Sequence, residues 1–151
     1  MKFRFIFSLL AAIGLFTLIA NPATAASDED AIKQRKAVMK AVGGTMGGLK
    51  AVVQGKAPMS QAAALGNAMS QFASITGQLF PEGSDFGDTR AKEEIWAKPA
   101  EFKAAVMAFE KAAANIAKVA ASGDAGAMKG AFGGLGKSCG GCHKPFRKPK
   151  N

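Results

Sequence analysis

The feature that most constrains this chain is Cys139-Gly140-Gly141-Cys142-His143, which holds both cysteines and the only histidine of its 151 residues. The pattern C-x-x-C-H is the attachment signal for c-type haem. On a helix, positions i, i+3 and i+4 are neighbours, so two thiols can bond one porphyrin while His143 reaches its iron. The motif therefore predicts one covalent haem c, with Cys139 and Cys142 as thioether anchors and His143 as the proximal axial ligand.

Three other structures compete for the two cysteines. A dithiol redox pair needs a βαβ setting, and the sequence has no strand pattern. A closed zinc site needs a fourth ligand, and no further Cys or His exists to supply it. A disulfide across so short a ring is strained and removes little chain entropy. Haem attachment is the interpretation that the motif favours.

Residues 1–25 have the pattern of a secretory signal peptide. Lys2 and Arg4 form a basic region, an apolar run follows, and an A-x-A cleavage motif ends at Ala25. The run is short for a membrane span, and an uncleaved anchor is the alternative. We expect residues 26–151 to be a single haem domain in the periplasm, without a membrane span after cleavage. Export fits haem c, because the thiols must meet haem outside the cytoplasm.

The charge of the chain bears on its partners. The formal net charge is +9, with 20 Lys and Arg against 11 Asp and Glu. Nucleic acid is disfavoured, because the chain has no Tyr and no interleaving of aromatic and basic residues. An acidic redox partner fits a basic surface better. Such a partner would meet the cations around the motif, where a solvated, frayed basic tail is the alternative: Lys137, Lys144, Arg147, Lys148 and Lys150.

Apolar residues recur at helical spacing in four segments after residue 26. These segments begin near Ser27, Met59, Pro99 and Asp124. Residues 81–88 have loop chemistry, residues 93–96 form a short turn or lead-in, and Pro145 is expected to bend or end the last helix. The pattern predicts an all-α fold, an antiparallel four-helix bundle with haem c bound near the C-terminal helix.

Four glycines lie inside the first predicted helix: Gly43, Gly44, Gly47 and Gly48. Each costs about 1 kcal/mol relative to Ala in a helix interior. They either permit a close backbone approach, to a partner helix in a dimer or to the haem, or they mark fraying or a break in the helix.

Together these features resemble the class II c-type cytochromes, meaning cytochrome c-prime and its low-spin relatives. The similarity covers residues 26–151, and its strongest element is C-x-x-C-H at the far C-terminal end, followed by Phe146-Arg147. Shorter matches are Gly55-Lys56-Ala57-Pro58, Phe80-Pro81, and Ile95-Trp96 before Phe102. The resemblance implies a haem-bearing four-helix bundle, usually a homodimer through helices one and two. Pro145 departs from the family pattern.

In this family, the residue that faces the haem from the first helix decides how the iron is coordinated. An apolar residue leaves the iron five-coordinate and high-spin, whereas a Met sulfur makes it six-coordinate and low-spin. Met39 stands at the matching position, and residues 35–47 look more like the low-spin relatives. The resemblance thus implies Met39 as the distal axial ligand. A methionine that only fills space is the alternative, and Met46 is a weaker rival.

Further haem contacts follow from the same resemblance. Arg35 is a charge on an otherwise apolar stripe, so it needs a partner. A haem propionate is the natural one, and a side chain that snorkels to solvent is the alternative. Lys36 is a candidate to assist Arg35 at the propionate, with an ordinary exposed lysine as the alternative. The resemblance also implies haem contacts at Phe86, Asp88 and Trp96, with a core tryptophan as the competing interpretation.

These inferences lead to a periplasmic monohaem cytochrome that carries single electrons with His/Met ligation. The alternative is a five-coordinate cytochrome c-prime that binds nitric oxide or carbon monoxide. A haem enzyme with peroxidase-like turnover is disfavoured, because the sole histidine is already committed as the proximal ligand and none remains for acid–base catalysis. We therefore expect an electron-transfer haem protein and not an enzyme.

Overall fold

The computed structural model describes residues 27–149, and this part of the chain is helical without a named strand. The predicted signal peptide, residues 1–25, and Lys150 lie outside the described residues. Four long helices pack as an antiparallel four-helix bundle, so the all-α prediction is confirmed. No helix within residues 27–149 is both long enough and apolar enough to span a bilayer.

The helix bounds follow the predicted segments closely. Within residues 27–149, the five α-helices are α1 (Asp28–Val53), α2 (Ala62–Thr76), α3 (Glu94–Ala97), α4 (Pro99–Ser122) and α5 (Ala125–Phe146). Two 3-10 turns flank α2, at Met59–Gln61 and Gly77–Leu79. The second predicted helix is therefore α2 together with both turns. The short α3 is the expected lead-in to α4. The loop between Leu79 and α3 is called the cavity loop below and comprises residues 80–93.

Local chemistry explains where the helices begin and end. The Ser27 hydroxyl caps α1 by accepting the Asp30 N–H at 3.2 Å, and Asp124 caps α5 by accepting the Ala127 N–H at 2.9 Å. Such caps satisfy backbone donors that the first turn leaves free. Gly123 follows α4 with a φ of +70°, a left-handed conformation that glycine adopts without steric cost. Pro99 occupies the first turn of α4, where its missing N–H costs nothing.

The buried side chains form two groups. The main core runs between the four long helices and includes the fully buried Leu49, Met69, Ile116 and Leu135. A smaller group, called the cavity-side cluster below, lies beside the cavity loop: Ala91, Ile95, Phe102, Val106 and Phe146. The first group holds the bundle together, and the second supports the residues that surround the site.

The glycines of α1 do not break the helix, which is continuous from Asp28 to Val53. Gly48 faces α2 closely, because a Cβ built there would lie 2.9 Å from Leu65 Cδ2. For Gly43, Gly44 and Gly47, no atom of the described residues lies within 4 Å of such a Cβ. Close approach inside the protomer therefore accounts for Gly48 alone.

Candidate functional site

A cavity of about 430 Å³ lies between α1, α5 and the cavity loop. This volume falls in the range of small-molecule and cofactor sites, about 300–1,000 Å³. From α1 come Arg35, Lys36 and Met39, and from α5 come Cys142 and His143. The remaining lining residues belong mostly to the cavity loop and the cavity-side cluster: Thr76, Phe80, Asp88, Thr89, Arg90, Ala91, Ile95, Phe102, Phe146 and Arg147.

Most of the site residues predicted from the sequence meet in this cavity. Met39 on α1 and His143 on α5 line it together, and Cys142 precedes His143 in the same wall. Arg35 and Lys36 lie one turn before Met39, and Asp88 lies on the cavity loop. The helices α1 and α5, which are far apart in the sequence, thus place the predicted proximal ligand, one anchor and the predicted distal ligand in the same cavity.

Three predicted residues do not line the cavity. Cys139 is half-buried one turn earlier on α5 and packs against the main core. Phe86 is 76% exposed on the cavity loop. Trp96 is half-buried, and its indole N–H donates to the Pro81 carbonyl at 3.1 Å, which ties α3 to the loop. The haem contacts expected of Phe86 and Trp96 remain predictions.

The surroundings of His143 favour its neutral imidazole. Burial lowers its pKa, and the positive charges of Arg147 and Arg90 lower it further. Each of these effects disfavours the imidazolium. The neutral ring is the form that binds iron, so these surroundings are compatible with the predicted role of His143 as the proximal ligand.

Both cysteines are half-buried, and they do not form a disulfide with each other. Burial raises the pKa of Cys139, and burial together with the neighbouring Cys139 raises the pKa of Cys142. The thiolate is the nucleophilic form, and burial disfavours it at both positions. A dithiol redox role would require the opposite shift.

Arg35 is buried, with 4% of its surface exposed, so it does not snorkel to solvent. One terminal nitrogen, Nη1, donates to the Leu79 carbonyl at 3.2 Å and to Ser84 Oγ at 3.0 Å. The other, Nη2, donates to the Ser84 carbonyl at 2.9 Å and to Thr89 Oγ1 at 2.7 Å. Burial lowers the pKa of Arg35, but a guanidinium stays charged in proteins. Its propionate contact remains a prediction.

A chain of aromatic contacts crosses the cavity wall from Arg35 to α5. The Arg35 guanidinium lies 4.8 Å from the Phe80 ring centroid. The Phe80 and Phe102 centroids are 4.9 Å apart and edge-to-face, and those of Phe102 and Phe146 are 5.3 Å apart in the same arrangement. Edge-to-face pairs are favourable because ring edges are positive and ring faces negative. These rings connect the α1 side of the cavity to the end of the motif helix.

The end of α5 is fastened to the cavity loop by an arrangement called the C-terminal clasp below. Ala91 and Arg147 form an isolated antiparallel bridge. The Lys148 N–H donates to the Arg90 carbonyl at 2.7 Å, and the Arg90 Nε and Nη2 atoms donate to the Lys148 carbonyl at 3.0 and 2.7 Å. The expectation of a frayed tail after the motif is therefore wrong for the residues up to Lys148, which are bonded to the cavity loop.

Pro145 was expected to bend or end the last helix, and α5 ends one residue after it, at Phe146. The proline lies inside the last turn of α5. Its missing N–H removes one helical hydrogen bond, and the chain then turns into the C-terminal clasp. Phe146 and Arg147 nevertheless line the cavity, so this departure from the family pattern leaves both beside His143.

Thr89, Arg90 and Ala91 form much of the loop wall and were not predicted from the sequence. They lie in irregular backbone, so no periodicity marks them. Their placement depends on contacts with Arg35 and Lys148, which are far away in the sequence. The one available signal was the charge of Arg90 just after a loop rich in Gly, Ser and Asp.

The residues of this cavity fit a haem c. Phe80, Phe102 and Phe146 offer apolar walls, and Cys142 and His143 supply one anchor and a neutral axial ligand. The exposed cations Lys36, Arg90 and Arg147 also line it and suit the anionic propionates. Lys36 also forms a salt bridge with the Asp88 carboxylate, so its ammonium would be divided between that carboxylate and a propionate. Cys139 would be the second anchor, one helical turn from Cys142.

Comparison with known proteins agrees with this site. A family model described as Cytochrome C' matches residues 30–147. The cytochrome c' of Pararhodospirillum photometricum is 37% identical over 125 residues, covering 82% of this chain and 100% of that protein. A ferrous variant of cytochrome c prime from Alcaligenes xylosoxidans with bound NO has a TM-score of 0.77 and 30% identity, over 83% of this chain and 99% of that one.

A second solved structure is similar over the same share of this chain. It is a cytochrome c' with an unusual ligand-controlled dimer dissociation, at a TM-score of 0.78 and 35% identity, over 83% of this chain and 99% of that one. The family model, the curated relative and both structures agree over almost the whole described chain. The chain therefore belongs to the cytochrome c' family, whose members bind one covalent haem c.

Proposed function

We propose that this chain is a periplasmic cytochrome c' that binds a diatomic gas, nitric oxide or carbon monoxide, at a five-coordinate haem. The observation that carries the proposal is the similarity to a cytochrome c prime whose solved structure contains bound NO. The comparisons do not support the low-spin branch that the residues around Met39 suggested, so gas binding replaces electron transfer as the leading function. The N-terminal signal pattern supports the periplasmic location.

The residues of the cavity suit this task. When bound, haem supplies an iron that coordinates diatomic ligands reversibly and exchanges single electrons. His143 on α5 would hold the iron, and its neutral imidazole suits that role. Met39 presents a flexible, uncharged thioether from α1, and Phe80, Phe102 and Phe146 give the cavity apolar walls. Such a space favours a small uncharged ligand over water, because polar groups lose hydration there.

One observation favours a second candidate, a one-electron carrier with His/Met ligation. Met39 and His143 line the same cavity from different helices, and a thioether opposite an imidazole raises the potential of haem iron. Exposed cations near the cavity would dock an acidic redox partner: Lys36, Arg90, Lys144, Arg147 and Lys148. In both candidates the chain is not an enzyme in its own right.

Visible absorption of the haem-loaded protein separates the two candidates. We expect a high-spin ferric spectrum and ready carbon monoxide binding by the ferrous form. Met39→Leu keeps the volume and apolar character of the side chain but removes the sulfur, so it should leave the spin state unchanged. Met46→Leu is the matched control, because Met46 lies on the same helix and packs against the main core.

The opposite result would assign electron transfer. A low-spin wild type that becomes high-spin in Met39→Leu, but not in Met46→Leu, would identify the Met39 sulfur as an iron ligand. Gas binding as the main function would then be wrong.

We also propose a homodimer through α1 and α2. It is supported by the open space beside Gly43, Gly44 and Gly47, where no described atom lies within 4 Å of a built Cβ, and by the dimer of a similar cytochrome c'. Sedimentation of the haem-loaded protein at micromolar concentrations tests it, and a monomer throughout would exclude it.

A further inference from the structure

The inference concerns what Arg35 does in the folded protein. Its guanidinium is buried and already makes four hydrogen bonds. Every acceptor is a neutral oxygen between Leu79 and Thr89. Hydrogen bonds from a charged donor are about twice as strong as neutral ones. Even without a propionate, the side chain is therefore held by Leu79 and by two residues of the cavity loop, Ser84 and Thr89.

The acceptors of Arg35 are themselves connected to the cavity wall. Ser84 is fully buried, and its hydroxyl donates to the Pro81 carbonyl at 2.8 Å while accepting from Arg35. Thr89 Oγ1 accepts from Arg35 and also from the Ala91 N–H at 3.1 Å. A single guanidinium thus fixes the loop at two points.

The second of these points continues into the C-terminal clasp. The Ala91 N–H donates to Thr89 Oγ1, and Ala91 pairs with Arg147 in the antiparallel bridge. Thr89, Ala91 and Arg147 all line the cavity. Contacts therefore run without interruption from α1, through the cavity loop, to the residues that follow His143.

We propose that Arg35 is a positioning residue, which holds the cavity loop against the haem site through Ser84 and Thr89. A planar guanidinium can donate in several directions to separated acceptors, whereas a lysine offers one compact ammonium. In this role the shape of Arg35 matters as much as its charge. The inference goes beyond the proposed function and holds whether the sixth iron position takes a gas or a sulfur.

Amide hydrogen exchange of the haem-loaded protein tests the proposal. We expect Arg35→Gln and Arg35→Lys to accelerate exchange across residues 80–93 by about tenfold or more, because buried acceptors lose a charged donor. Exchange in α4 should stay unchanged. Thr89→Val should give a smaller increase in the same residues. The double variant should exceed Arg35→Gln only slightly, since both changes remove one shared contact. Ser74→Ala is the control, because its exposed hydroxyl bonds only within α2.

A measurement of the haem reduction potential, together with amide exchange, gives the result that would contradict the proposal. If Arg35 acts instead as the charged partner of a propionate, Arg35→Lys will resemble wild type. Arg35→Gln will then change the pH dependence of the potential, while exchange in residues 80–93 stays at the wild-type rate. That result would overturn the proposal. Should Arg35→Gln fail to fold, Thr89→Val decides alone, because wild-type exchange in that variant contradicts a positioning role.

Discussion

At the scale of single residues, the site depends on side chains whose partners lie far away in sequence. His143 and Cys142 were predictable because the C-x-x-C-H spacing itself defines the covalent chemistry. Met39 was predictable as a cavity residue from its place on an amphipathic helix and from the resemblance. Thr89 and Arg90 were not, because an irregular loop takes its shape from contacts such as the Arg35–Thr89 hydrogen bond.

Arg90 offers a test at this scale. Arg90→Met removes both side-chain hydrogen bonds to the Lys148 carbonyl. We expect faster amide exchange at Lys148 and a loss of unfolding free energy of about 1 kcal/mol, since exposed hydrogen bonds contribute little more. Exchange mass spectrometry and urea unfolding measure the two effects.

The matched control is Lys148→Met, because only the main chain of Lys148 takes part in the clasp. It should resemble wild type in both measurements. Equal effects from the two substitutions would mean that the side chain of Arg90 does not hold the tail.

At the scale of secondary-structure elements, glycine marks the closest helix contacts in some places and open surface in others. Gly66 on α2 faces α4 so closely that a built Cβ would lie 2.9 Å from Ala117 Cα. Gly130 on α5 has no described atom within 4 Å of such a Cβ. The helices themselves were predictable from periodicity and caps, whereas which glycine meets a neighbour depends on tertiary packing.

These two glycines give opposite predictions. Gly66→Ala should lower the unfolding free energy by about 1–3 kcal/mol, because the new methyl group meets backbone that cannot yield easily. Gly130→Ala should raise it by about 1 kcal/mol through helix propensity alone. Urea unfolding of the haem-loaded variants measures both, and a stabilising Gly66→Ala would contradict the close approach of α2 and α4.

At the scale of the whole molecule, the buried residues form two groups, and only the cavity-side cluster contributes residues to the cavity lining. The main core was predictable from the apolar stripes of the four helices. The cavity-side cluster was harder to predict, because Ala91 comes from the cavity loop and Phe146 from a helix end where Pro145 made the path uncertain. Its members meet only through the tertiary fold.

Two substitutions separate these groups. Ile116→Ala in the main core should cost about 2–5 kcal/mol of unfolding free energy and leave the visible spectrum unchanged. Phe102→Ala should cost about 3–5 kcal/mol and also alter the spectrum, because Phe102 lines the cavity between Phe80 and Phe146. Thermal unfolding and absorption spectra are the measurements, and a changed spectrum in Ile116→Ala would show that the groups are not independent.

The C-terminal clasp gives the few residues after the motif a structural role, because they fasten the cavity loop to α5. A chain cut after Phe146 would keep Met39, both sulfurs and the imidazole, yet it would lose Arg147 and Lys148, the partners of Ala91 and Arg90. Without the bridge and these hydrogen bonds, residues 90 and 91 of the cavity loop would lose their attachment to the end of the motif helix.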